Sequence, residues 1–393
     1  MSARAIALID GEHFAPVVRD ALAALPYDVV GALLVGGTEK LRDDDDYGVA
    51  LVEALDSVEA DLVVDLSDEP VLGPRERMLW ASRALAHGLP YVGADFRFDP
   101  PPLQPVETPS LAVIGLGKRI GKTAVAGHVA RVLGGDRRVV VVAMGRGGPA
   151  EPELVETPPT LDDLVALSRS GRHAASDHLE AAALAGVPAI GCRRAGGGLA
   201  GAPFVSNVLA GASLAAQLDP ELLVFDGSGA AIPPVEADTR ILVANGGHDP
   251  RAGLNAYRVL VSDLVVDTGG ADREAIRSIS DVPVVAADLR LRPAEPLRGR
   301  RTAVFTTGPA PTEGLDAEIV HLSRNLARRD ALREELERVE ADVFLVELKA
   351  AAVDVVAEAA LARGVEVILA ANDVVSDELD DRVLSLVPDR SRA

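Results

Sequence analysis

Short, uninterrupted apolar runs alternate with helical patterns along the whole chain. Runs at residues 5–9, 29–35, 62–66 and 91–92 come first, and runs at 111–114, 139–143, 189–191, 222–225, 241–244 and 282–286 follow. Further runs at 303–306, 319–322, 343–346 and 365–369 complete the series, with a charged helix expected at 325–339. Continuous apolar runs of strand length mark strands buried on both faces. Strands separated by helices predict α/β architecture with largely parallel sheets.

The pattern divides into three parts, at 1–105, 106–296 and 297–393. Five prolines between Asp99 and Pro109 make a stiff linker after the first part. No internal repeat is evident.

The run at 111–114 leads into Gly115 to Thr123, which read GLGKRIGKT, and then into a helical stretch at 124–133. Strand, glycine-rich loop and helix in that order wrap backbone N–H groups around a nucleotide phosphate. In the pattern G-x-x-x-x-G-K-[ST] the leading glycine would fall at Leu116, which instead lies between Gly115 and Gly117. The physical parts remain. Gly121 permits a tight turn, Lys122 reaches the terminal phosphates and Thr123 can ligate magnesium. The chain has four lysines, Lys40, Lys118, Lys122 and Lys349, and two of them lie in this loop. The expected fold is therefore a P-loop NTPase central domain with a parallel sheet and substrate loops, flanked by smaller N-terminal and C-terminal α/β domains.

Composition fits an enzyme with a large aliphatic core: 393 residues, 48% hydrophobic and 3% aromatic. The net charge of -21 disfavours a nucleic-acid or anionic-membrane surface, so anion binding must rely on local positive clusters. One cysteine, Cys192, excludes an internal disulfide, and the start MSARAIALID lacks the features of a signal peptide. No apolar run reaches the roughly 18 residues of a membrane helix. A cytoplasmic location is expected. The acidic run Asp43 to Asp46 reads as a solvated loop.

Several further segments follow strands, where α/β sheets bind ligands. The run at 222–225 ends in Asp226, placed to hold magnesium opposite Thr123; the plainer role is a turn cap. Arg146, between glycines in MGRGGP, suits an anion bidentately, or is a solvent-exposed loop arginine. Arg193 and Arg194 precede three glycines and suggest a mobile lid or cradle for a polyanion. Cys192 beside them has no clear base nearby, which argues against a nucleophile. Arg172, His173, Asp177 and His178 begin a helix suited to anion contact, although such histidines are more often surface or capping groups. In the first part, Asp10-Gly11-Glu12-His13 and Asp65 to Glu69 end two strands of one parallel sheet and face a shared cleft. They are acids, bases or metal ligands in one reading and helix caps in the other.

Taken together, these segments resemble the cyclic 2,3-diphosphoglycerate synthetase family. The likeness rests on IDGEH with Pro16-Val17-Val18, GLGKRIGKTAVAGHVAR, VAMGRGGPAEPE, GRHAASDHLE, GCRRAGGGLAG and FDGSGAAIPP, and extends to VFLVELKAAAVDVVAEA. The resemblance implies ATP-dependent closure of 2,3-bisphosphoglycerate to its cyclic anhydride, with ADP and phosphate released. On that reading Gly115, Gly117, Lys118, Arg119, Gly121, Lys122 and Thr123 bind ATP, and Thr123 and Asp226 bind magnesium. Arg146, Arg193, Arg194, His13, Arg172 and His173 contact the substrate, with Lys122, Lys118 and Arg146 assisting the transfer itself.

Three alternatives stay open at the level of sequence: a 2-phosphoglycerate kinase, an ATP-dependent ligase of the dethiobiotin-synthetase type, and a regulatory P-loop NTPase. The expected partner is a small molecule, with neither nucleic acid nor membrane; a homo-oligomer remains open.

Overall fold

The computed structural model describes residues 2–42, 45–69, 71–170, 177–307, 311–348 and 352–387. The chain starts with β1 (Arg4–Ile9), α1 (Ala15–Ala24), β2 (Asp28–Leu34), β3 (Leu62–Asp65), α2 (Pro74–Ala86), β4 (Tyr91–Val92) and β5 (Arg97–Phe98). These strands order β2-β1-β3-β4-β5, all parallel except β5.

The second sheet and its helices follow in order. They are β6 (Ser110–Gly115), α3 (Lys122–Leu133), β7 (Val139–Gly145), β8 (Glu153–Val155), α4 (Leu161–Arg169), α5 (Asp177–Ala185) and β9 (Ala189–Ala195). Then come β10 (Val205–Ser206), α6 (Val208–Ala216), β11 (Leu222–Asp226), β12 (Thr239–Ala244), α7 (Asn255–Leu260), β13 (Leu264–Asp267), α8 (Arg273–Ile279) and β14 (Val284–Ala286). The strand order is β10-β9-β7-β11-β6-β12-β13-β14, with β8 added against β9. Only β8 and β10 run antiparallel among these described strands.

The last sheet contains β15 (Asp288–Pro293), β16 (Arg301–Phe305), β17 (Glu318–Ser323), β18 (Val343–Glu347) and β19 (Glu366–Val375), with helices α9 (Arg329–Leu336), α10 (Val353–Leu361) and α11 (Leu379–Leu386). Its order is β15-β19-β18-β16-β17, with β15 antiparallel. By compactness the chain forms two units, one of residues 1–102, 248–261 and 272–282, the other of 103–247, 262–271 and 283–393.

The central strands carry the core of the larger unit. Leu111, Val113, Val141, Val224, Ile241 and Val243 are essentially inaccessible, and α3 lays Val125, Val129 and Leu133 across them. Each such side chain stabilises the fold by roughly 1.5–3 kcal/mol through burial. Small aliphatic residues let strands and helices approach closely, so few aromatics are needed.

The sequence pattern differs from the structure at several elements. The helix expected at 325–339 is confined to Arg329–Leu336, because the Asn325 N–H bonds the Ser323 hydroxyl and starts a turn. β9 runs on through Arg193 and Arg194, because its backbone continues to pair with β10. β13 and β15, like the short β5, β8 and β10, have no counterpart in the apolar runs read above. Among the described residues, no helix is long and apolar enough to cross a membrane.

Candidate phosphate-binding site

β6 lies between β11 and β12, and the ends of all three parallel strands reach one edge of the sheet. The glycine-rich loop leaves β6 there. Leu116 and Ile120 are buried and anchor it, while Lys118 and Arg119 are exposed. A Cβ at Gly115 would lie 2.7 Å from Ile120 Cδ1, so a side chain there would have to displace the buried end of Ile120. Arg119 and Gly121 both take left-handed backbone angles, with φ of 59° and 78°. The loop thus turns twice within three residues. Helix α3 starts from Gly121 with no side-chain cap and no acidic residue in its first turn. Its N–H groups and dipole are left for an anion.

Lys122 and Thr123 open α3, and both are buried. The Lys122 ammonium pairs with the carboxylate of Asp226 at the end of β11. Thr123 Oγ1 lies 3.5 Å from Asp177 Oδ1 at the start of α5. The Thr123 hydroxyl and the Asp226 carboxylate are hard oxygen donors at the ends of neighbouring elements, a set that fits a small divalent cation sharing its remaining positions with phosphate and water. Among the described residues no group of three or more His, Cys, Asp or Glu side chains could hold a metal by itself.

On the β11 side of the loop the structure gathers cations. Arg146 follows β7 and lies over Gly229, where a Cβ would be 2.5 Å from its Nη2 and 3.4 Å from Lys118 Cγ. Arg194 donates from Nη2 to the Ser228 carbonyl at 2.8 Å and from Nη1 to the Gly196 carbonyl. Its Nε is buried with no hydrogen-bond partner among the described residues. Burial, and then the neighbouring Arg146, push the Arg194 pKa down. Arg193 is exposed beside it, its backbone N–H held by Asn207 Oδ1 at 2.7 Å. Among the described residues, none of Lys118, Arg119, Arg146, Arg193 and Arg194 forms an ion pair with a carboxylate.

These two arginines were expected on a mobile loop. They instead sit on β9, where the pairing of Arg194 with Ser206 and Ala195 with Val205 fixes the backbone. His178, expected at the surface or as a cap, is buried, and its ring fills the space a side chain at Gly191 would need. Cys192 is buried too, and burial pushes its thiol up to about 12, which leaves almost no thiolate near neutrality. Arg172 and His173 lie outside the described residues.

On the other side of the loop, a cleft of about 700 Å³ is lined by Arg119, Ile120, Asn245, Thr268, Leu289 and Arg290. Thr268 follows β13, and its Oγ1 donates to the Ile120 carbonyl at 2.8 Å. Leu289 of β15 packs on Gly121, where a Cβ would come within 2.6 Å of its Cδ1. Neither residue was singled out by sequence, because β13 and β15 were not read as strands. The signal available was LVVD, a short apolar run ending in an aspartate, followed by Thr268-Gly269-Gly270.

In the smaller unit, the loops after β1 and β3 meet as expected. Asp10 is fully buried and accepts from Glu12 N, His13 Nδ1 and Asp68 N at 2.9, 2.8 and 2.7 Å. Burial alone would raise its pKa, but the hydrogen bonds from His13, Asp68 and Glu12 outweigh it and hold the carboxyl below its ordinary value. Asp65 accepts from Ser67 and from the Tyr91 hydroxyl. Both carboxylates fasten loops. His13 is the partly exposed member of the group. Of the acidic run, Asp43 and Asp44 lie outside the described residues. Asp45 and Asp46 accept from Arg42 N and Gly48 N, and Asp46 also pairs with Arg19.

Three family models match the chain. They describe cyclic 2,3-diphosphoglycerate synthetase: its N-terminal domain over residues 4–99, its P-loop domain over 110–284 and its C-terminal domain over 293–373. A cyclic 2,3-diphosphoglycerate synthetase from Rubrobacter xylanophilus is 48% identical, with 98% of this chain and 97% of that protein covered. Proteins of the same name from Thermococcus gammatolerans and Methanothermus fervidus are 43% and 36% identical, covering 94% and 97% of this chain and 93% and 96% of their own lengths. Among solved structures, LpxK from Aquifex aeolicus in complex with ATP aligns with a TM-score of 0.44 and 14% identity over 72% of this chain and 90% of that chain.

Proposed function

Since the chain belongs to the cyclic 2,3-diphosphoglycerate synthetase family, we propose that it uses ATP to close 2,3-bisphosphoglycerate into its cyclic anhydride, releasing ADP and phosphate. The observation that carries this reading is the group of Lys118, Arg119, Arg146 and Arg194 in and beside the phosphate loop, none of them paired with a carboxylate among the described residues, in a chain of net charge -21. ATP and bisphosphoglycerate are both polyanions. A site that joins them must first offset their repulsion.

On this reading the γ-phosphoryl group passes from ATP to an oxygen of one substrate phosphate, giving ADP and a linear anhydride. An oxygen of the second substrate phosphate then attacks the inner phosphorus, the outer P–O bond breaks, and inorganic phosphate leaves as the ring closes. No proton transfer from carbon is required. Catalysis is positioning plus charge stabilisation. The N–H groups of the loop and of the α3 start hold the ATP phosphates, with Lys118, Arg119 and Lys122 around them. Lys122 exchanges its Asp226 partner for phosphate oxygens. Arg146, Arg193 and Arg194 hold the bisphosphoglycerate, with Arg146 close enough to Lys118 to serve both reactants.

Thr123 and Asp226 are the residues that would hold magnesium, which when bound supplies charge neutralisation at the phosphates. The cleft beside Asn245 suits the nucleoside, which leaves the β11 side for the acid. The same reading places the enzyme in the cytoplasm.

The test is to incubate the protein with MgATP and 2,3-bisphosphoglycerate and follow phosphorus NMR. Two monoester signals should give way to upfield anhydride signals, with ADP and phosphate appearing together. ATP consumption with 2-phosphoglycerate alone would replace this reading by a kinase, and indifference to both acids would remove it.

A further inference from the structure

Two left-handed residues two positions apart, Arg119 and Gly121, give the phosphate loop its shape. For Arg119 that backbone is unfavourable, since a side chain disfavours positive φ by about 1 kcal/mol or more. Something must hold it. Ile120, between them, points its carbonyl at Thr268, whose hydroxyl donates to it at 2.8 Å. The same hydroxyl lies 3.2 Å from the Ala244 carbonyl, and the Thr268 N–H donates to that carbonyl at 2.9 Å. Thr268 therefore ties the loop to the end of β12, a rigid central strand.

The tie acts from outside the loop's own sequence. Gly269 and Ala271 donate their N–H groups to Asp267 Oδ1, both at 3.0 Å, which fixes the turn that carries Thr268. Leu289 presses on Gly121 from β15 and limits movement in the other direction. Helix α3 could form without either contact. What they select is the angle at which Gly121 delivers the helix and its open N–H groups to a phosphate.

We propose that Thr268 is a positioning residue of the ATP site, acting through the Ile120 carbonyl to hold the loop in its phosphate-ready bend. The inference rests on the ATP-binding reading above but not on the identity of the acid. Thr268→Val keeps the volume and removes the hydroxyl, and Thr268→Ser keeps the hydroxyl. Binding of MgADP to the full chain, measured by calorimetry, should weaken about five- to tenfold in the valine variant, the loss expected for one neutral hydrogen bond. The serine variant should stay within about twofold of the parent.

With turnover as a second readout, KM for ATP should rise in the valine variant while KM for bisphosphoglycerate stays unchanged. The proposal is overturned by MgADP binding in Thr268→Val equal to the parent, or by an equal loss in the serine and valine variants. Equal increases in both KM values would likewise reduce Thr268 to general stability. Should the valine variant fail to fold, the Thr268→Ala and Thr268→Ser pair decides by the same comparison. If the protein never cyclises bisphosphoglycerate, the functional reading falls, and MgADP binding still decides this one.

Discussion

Lys122, the first residue of α3, and Asp226, the last of β11, form an ion pair with only 7% and 1% of their surfaces exposed. A buried pair is weak evidence for stability, since desolvation offsets much of its attraction, but removing one member strands the other charge. On the proposed reading the pair is poised, with Lys122 taken over by an incoming phosphate and Asp226 by a cation.

Lys122→Met should therefore act in two separable ways. Turnover should fall about a hundredfold or more, because a transition-state charge is no longer stabilised. Stability should fall by about 3 kcal/mol from the uncompensated Asp226. Adding Asp226→Asn should restore most of the urea midpoint and none of the activity. A double variant as unstable as Lys122→Met would show that the pair is not the cause.

Arg146 and Arg194 stand beside one another with Lys118 near, and none has a carboxylate partner among the described residues. Replacing either arginine by Ala should raise KM for bisphosphoglycerate about ten- to hundredfold, the range for a charge-assisted hydrogen bond. KM for ATP should move far less. Lysine should rescue poorly, because a point charge does not reproduce the guanidinium fork. Steady-state kinetics with each substrate varied in turn would show the split, and equal effects on both constants would count against it.

How much of this could be read beforehand depended on whether the deciding contact was local. The strands around the loop announced themselves, since 111–114 and 222–225 are uninterrupted apolar runs with chemistry at their ends. β13 did not, because α7 passes into it through 259–267 with only Ser262 and Asp263 between two apolar runs, and the period is blurred. Thr268 was lost with it. Arg193 and Arg194 read as loop because strand pairing belongs to the backbone, and charged side chains on a strand end look the same as charges on a loop. The Lys122–Asp226 pair bridges 104 positions, so no window of sequence contains it.

The fastening of Asp10 predicts an acid response in the smaller unit. Its folded pKa lies below the ordinary 3.8, so its contribution is fully present above that value and is lost as pH falls through the lower folded one. Asp10→Asn should be less stable than the parent at neutral pH, and the difference should shrink below about pH 4. Thermal unfolding across pH 2.5 to 7, on the order of half-unit steps, would show it. A difference that stays constant to the lowest pH would mean that the asparagine simply packs badly.

Gly229 offers the sharpest test of the arginine cluster, because it touches Arg146 without being a charged group itself. Its φ of 59° suits glycine, and an added Cβ would meet Arg146 Nη2 at 2.5 Å before anything else. The backbone cost of alanine there is about 1 kcal/mol, and the flexible end of Arg146 must swing away. Gly229→Ala should then raise KM for bisphosphoglycerate about fivefold, as expected for one weakened contact. In an Arg146→Ala background the same change should add nothing further to KM, since its target is gone. An unchanged effect in that background would place the damage in Lys118, whose Cγ is next nearest at 3.4 Å, or in the backbone turn itself.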